Sequence, residues 1–113
     1  MKALKISVGG NEVVDIHSFE VVEFDSGDDL RAQLDGGTLE GLQFCRDAFA
    51  YIDERGKNKG LPYNAVATEL CAHILGPGDF ISGTMIVVGL PDENGGETDC
   101  PDHICDLFCG NAV

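Results

Sequence analysis

The feature that most constrains how this chain folds is the apolar segment at residues 80–90, FISGTMIVVGL. Ile86, Val87 and Val88 are consecutive. Side chains on a strand alternate between its two faces, so three successive apolar residues demand cover on both sides. The segment therefore predicts a central strand, buried on both faces, with Gly83 and Gly89 marking a bulge or a close backbone approach. Directly before it, Asn64 is placed to cap a helix carrying Val66, Leu70 and Ile74 on one stripe and Ala67 and Cys71 on the next. The run Gly76-Pro77-Gly78 stops that helix. A polar loop with Arg55, Lys57 and Lys59 leads into it.

The upstream residues supply strands for the central one to join. Residues 2–8 alternate Leu4, Ile6 and Val8 with polar residues, and Gly9, Gly10 and Asn11 turn the chain toward Val13, Val14 and Ile16. Residues 19–24 (FEVVEF) read as a third strand. Leu30 and Leu34 sit four apart after the capping residue Ser26, predicting a short helix over residues 28–35 that ends at two glycines. Residues 38–45 and 48–52 form a second hairpin about Arg46 and Asp47. The expected fold is one small α+β domain: a mainly antiparallel sheet of five or six strands with two short helices. The core spans residues 1–91, followed by a less ordered, acidic, Cys- and His-bearing tail at 92–113. One or two helical turns are expected from Asp102.

The chain has 113 residues, 20 acids and 7 bases, for a net charge of −13. Every Lys and Arg lies at or before Lys59, and eight acids follow it. A basic footprint for nucleic acid is therefore missing, and direct binding to a phosphate backbone is disfavoured. The excess serves solubility, as in a salt-rich cytoplasm, or a negative surface that competes with nucleic acid for a basic protein. Five cysteines, an odd number, fit reduced thiols better than a secreted disulfide framework. No apolar run reaches the roughly 20 residues that span a bilayer, and the alternating start is unlike a signal peptide. The expected compartment is the cytoplasm, with no membrane association.

The pattern Lys59-Gly60-Leu61-Pro62 with Asn64, Ala67 and Thr68, followed by Gly83 and Gly89, resembles an uncharacterised family of small proteins common in bacteriophages and conjugative or plasmid elements. The resemblance covers most of residues 1–91, and the segment from Asp92 departs from it. It implies an accessory role in a mobile element, among proteins that blunt host immunity, and no enzymatic activity.

Cys100, His103, Cys105 and Cys109 provide four zinc-type donors within ten residues, but their spacing lacks paired CxxC steps. Incidental thiols are the simpler reading, so no cofactor is expected, with zinc at this set as the alternative. Cys71 and His73 lie two apart on one helix and point in different directions, and no orienting acid accompanies them. The glycine-bearing segments lack phosphate-loop spacing. The expected function is non-enzymatic: binding a host protein, a nuclease or immune effector, through an acidic surface that includes Asp92, Glu93, Glu97 and Asp99. A second class of reading is a module for an anionic nucleotide, held by Arg55, Lys57, Asn58, Lys59, Gly60 and Asn64. A third is a structural homodimer formed through edge strands.

Overall fold

A computed structural model of the chain describes residues 1–10, 15–25, 27–34 and 39–109. Among these, five strands and three helices follow in the order β1 (Lys2–Gly10), β2 (Asp15–Glu23), α1 (Gly27–Gln33), β3 (Leu39–Cys45), β4 (Ala48–Asp53), α2 (Ala65–Cys71), β5 (Met85–Gly89) and α3 (Asp102–Cys109). They form an α+β domain. The sheet order is β2-β1-β5-β4-β3, and every pairing is antiparallel. The last strand in sequence is thus the middle strand in space. It joins the β1–β2 and β3–β4 hairpins, pairing Val87 with both Leu4 and Ala50.

All five residues of β5 are buried. Met85 and Val87 pack with Leu4, Ile6, Ala50 and Ile52 beneath α2 and α3. Ile86 and Val88 face the opposite side, with Ala3, Phe24, Leu30 and Leu34 of the α1 region. The sheet is therefore a middle layer with helices on both faces. Burying each such aliphatic side chain stabilises the fold by roughly 1.5–3 kcal/mol before entropy is counted.

Several expectations are refined. Ile16 and the residues from Phe19 belong to one strand, β2, so the described sheet has five strands. The turn at Asn11, Val13 and Val14, the Ser26 cap and the glycine stop at residues 36 and 37 lie outside the described residues. The strand expected over residues 80–90 is regular only from Met85. Gly83 takes φ +89°, which breaks the pleat, and residues 81–83 pair instead with the chain ahead of α2. There Gly83 donates to the Pro62 carbonyl at 2.7 Å and Asn64 to that of Ile81 at 2.9 Å. In α2 the deepest residues are Ala67 and Cys71, both fully buried, whereas Ile74 lies beyond the helix and is exposed. Small side chains let the helix sit close over Met85, whose Sδ is 3.9 Å from the Cys71 Sγ.

The segment expected as a less ordered tail returns to the sheet. Gly89 donates to the Thr98 carbonyl at 3.0 Å and Cys100 to that of Lys2 at 2.9 Å. The Lys2 amide in turn donates to Asp99 Oδ1 at 2.8 Å. Beyond this crossing α3 buries Ile104 and Cys105 in the core that contains Leu4 and Ile6, and Phe108 stacks on Phe19 at 5.5 Å. A third helix therefore completes one face of the sheet. No helix among the described residues is long and apolar enough to cross a membrane.

Candidate functional site

The residues that carry the 59–68 motif converge on one buried point. Asn64 is fully buried. Its Oδ1 accepts from the Ala67 amide at 3.0 Å and so caps α2, while Nδ2 donates to the Gly83 carbonyl at 2.8 Å and the Ile6 carbonyl at 3.2 Å. Thr68 Oγ1 accepts from the Ile81 amide at 2.9 Å. These contacts tie β1, α2 and the approach to β5 together. The motif is an architectural lock, and Asn64 is not presented to a ligand.

The loop before it folds on itself: Gly56 donates to the Asp53 carbonyl, and Lys59 to that of Arg55. Its lysines are engaged with carboxylates of the same chain. Lys59 Nζ is 2.6 Å from Asp53 Oδ2. Lys57 pairs with Asp79 and lies 4.7 Å from the centroid of the Phe80 ring. Arg55, Asn58 and Gly60 are exposed, with Gly60 in the left-handed region at φ +71°. The loop is thus not a free cationic cradle, because both of its lysines are already paired with carboxylates.

The Asp53 carboxylate is the most deeply placed of these charges, with its side chain 3% exposed. Burial pushes its pKa up, but the Lys59 hydrogen bond, the Arg55 amide and both nearby cations outweigh burial and hold it below the usual 3.8. A carboxyl whose folded pKa is depressed adds stability above its unfolded pKa, and that contribution is lost as pH falls through the folded value. Urea midpoints measured at falling pH should therefore drop once the pH passes below about 4. Asp53→Asn should flatten that fall by up to about one proton. An unchanged slope in Asp53→Asn would show that other carboxyls set the acid limit.

The acidic segment is a fixed rim at the far end of β5. Asp92 Oδ1 accepts from the amides of Asn94 at 2.9 Å and Gly96 at 2.7 Å, closing a tight turn. Glu97 Oε1 accepts from the Tyr51 hydroxyl at 2.8 Å, and burial together with that carboxylate pushes the Tyr51 pKa up to about 12. Asp99 accepts from Lys2, as described above. Glu93 is exposed, and the other three carboxylates remain solvent-facing while held in place.

Cys100 and Cys105 are neighbours, but the four Cys and His donors do not gather into one metal-holding set. Cys100 and Cys105 are buried against the sheet, His103 Nε2 lies 2.9 Å from Asp47 Oδ2, and Cys109 is exposed. No group of three or more His, Cys, Asp or Glu among the described residues is arranged to hold a metal ion. Burial pushes the Cys71 thiol up to about 11. Burial and then the neighbouring Cys105 push Cys100 up to about 12, so both are poor thiolate nucleophiles at neutral pH.

Sequence reasoning did not single out one feature. Tyr63 and Phe80 meet edge to face, with centroids 5.7 Å apart, and remain 49% and 39% exposed. With Thr68, Gly78 and Asp79 they line an open groove. Beside it, a cleft of about 110 Å³ shares Asp79 and Phe80 and is also lined by Glu40, Glu54 and Lys57. The available signal was an aromatic residue directly after Pro62 and another after the Gly76-Pro77-Gly78 turn, positions where neither ring is needed to build an element.

A family model described as a domain of unknown function, DUF3846, matches residues 1–111. The match runs through the segment after Asp92 that the motif resemblance left out. No curated protein matches the chain, and no solved structure matches it.

Proposed function

The chain belongs to the DUF3846 family, and for it we propose a non-enzymatic binding role: occupying a basic host protein, a nuclease or immune effector, through an acidic surface that stands in for nucleic-acid charge. The observation that carries this reading is the rim at Asp92, Glu93, Glu97 and Asp99, where hydrogen bonds to the chain's own amides and to Tyr51 hold three of the four carboxylates. Charges held in position lose little conformational freedom when a partner arrives. The bases offset the rim only in part: Lys57 and Lys59 are paired with Asp79 and Asp53, Lys2 is paired with Asp102 although it also feels the Asp99 charge, and no Lys or Arg follows Lys59. The raised thiol pKa values and the dispersed histidines are consistent with a role that needs no catalysis. The motif resemblance supports placing that role in a mobile element.

Tagged protein recovered from host lysate tests the reading. A captured basic protein should dissociate steeply as salt rises from about 50 mM to about 500 mM, because exposed charge pairs are screened over that range. Asp92→Asn, Glu93→Gln, Glu97→Gln and Asp99→Asn combined keep the acceptor oxygens and remove the charge. That variant should lose the partner while retaining its melting temperature. A partner held equally by both proteins and at high salt would refute the proposal.

A further inference from the structure

The groove at Tyr63 and Phe80 lies at the opposite end of β5 from the acidic rim, since residues 79–83 precede Met85 and the rim follows Gly89. Its chemistry is already displayed by the chain itself. Lys57 Nζ pairs with the Asp79 carboxylate while standing over the Phe80 ring at 4.7 Å. A carboxylate beside an exposed aromatic face is a site for a cation: the carboxylate supplies the ion pair, and the ring supplies its negative π face. Both sides of the pairing remain accessible, with the Lys57 and Asp79 side chains 46% and 41% exposed. The contact is therefore one that a competitor can open, unlike Lys59 on the buried Asp53.

We propose that the Asp79–Phe80–Tyr63 groove receives an arginine side chain of a basic partner protein, and that Lys57 is a resident stand-in that the arginine displaces. The choice of occupant follows from charge complementarity, because a chain of net charge −13 attracts basic surfaces to its own. To this extent the inference rests on the binding role proposed above. Arginine fits better than lysine because a planar guanidinium stacks flat on the Phe80 ring while its N–H fork reaches Asp79. Phe80 and Tyr63 meet at 71°, so a stacked guanidinium meets one ring with its face and the other with its edge.

The test is titration of the intact chain with a capped tetra-arginine peptide, followed by backbone amide shifts and a dissociation constant at low salt. Removing the stand-in should strengthen binding: Lys57→Gln should lower Kd roughly three- to tenfold, the range set by one exposed ion pair and one exposed cation–π contact. Arg46→Gln makes the same change in net charge at the other end of the β3–β4 hairpin, and should alter Kd by less than about twofold. Phe80→Leu keeps an apolar side chain without the π face and should weaken binding about threefold or more. Amide shifts should centre on Tyr63, Asp79 and Phe80. Equal effects of Lys57→Gln and Arg46→Gln, or shifts confined to residues 92–99, would overturn the groove assignment while leaving the acidic-surface reading standing. No binding by wild type or by Lys57→Gln would overturn both.

Discussion

Asn64→Asp should cost this domain about 3 kcal/mol or more, although the side chains are nearly the same size. An aspartate can still accept from the Ala67 amide, so the cap on α2 survives. What it cannot do is donate to the carbonyls of Ile6 and Gly83. Two buried acceptors then lose their donor at about 1–3 kcal/mol each, and the new carboxylate sits unpaired against them. Asn64→Ala removes the cap as well, worth about 1 kcal/mol, but introduces no charge. Both variants should therefore fail in thermal melts, with transitions lower by roughly 10–20 °C or absent. Lowering the pH should partly rescue only Asn64→Asp, by neutralising it. A melting temperature within a few degrees of wild type for Asn64→Asp would mean that the buried lock does not hold the sheet to α2.

Gly89→Ala should be the second large loss. A Cβ at this position would stand 2.3 Å from Thr98 Oγ1 and 2.5 Å from the Asp99 carbonyl oxygen, well inside contact distance. The crossing segment must move away, and with it the hydrogen bond that Gly89 donates to Thr98. Overpacking of this kind costs about 1–3 kcal/mol. Because the displaced segment leads straight into α3, the damage should be local before it is global. Cys100 and Cys105 are buried in wild type and should react with a thiol reagent at least about tenfold faster in Gly89→Ala. Gly9→Ala is the control, since nothing lies within 4 Å of a Cβ there. Unchanged labelling of Cys100 and Cys105 in Gly89→Ala would show that α3 is held without the Gly89–Thr98 crossing.

These two positions also show what the sequence discloses. The centrality of β5 was legible because three successive apolar residues can be satisfied only by cover on both faces. The α+β class, the second hairpin and the N-cap of α2 followed from local spacing, whereas the helix ends at Cys71 with Ala72 as its C-cap, short of the Gly76-Pro77-Gly78 stop. Asn64 was legible as a cap, which is a contact three residues away, but not as the donor to Ile6 and Gly83, which lie far along the chain. Periodicity reports a residue's own element and is silent on which distant carbonyl it meets. The loop lysines could be counted but not paired: Asp53 meets Lys59 through the local turn of the loop, and Asp79 reaches Lys57 only through the fold. Composition also hid the docking of α3: the acidic loop before it suggested a loose tail, while Ile104 and Cys105 bury against the sheet. The Tyr63–Phe80 groove was missed because its two rings come from separate loops, and Phe80 was counted toward the strand.

If the acidic face occupies a site its partner otherwise gives to nucleic acid, the two must compete. The most direct measurement is competition: immobilise the captured partner complex at low salt and add duplex DNA in increasing amounts. DNA should displace the wild-type chain, and the variant with four amides at positions 92, 93, 97 and 99 should fail to rebind the partner once the DNA is removed. A complex that persists in excess DNA, with wild type and variant behaving alike, would contradict the acidic-surface reading.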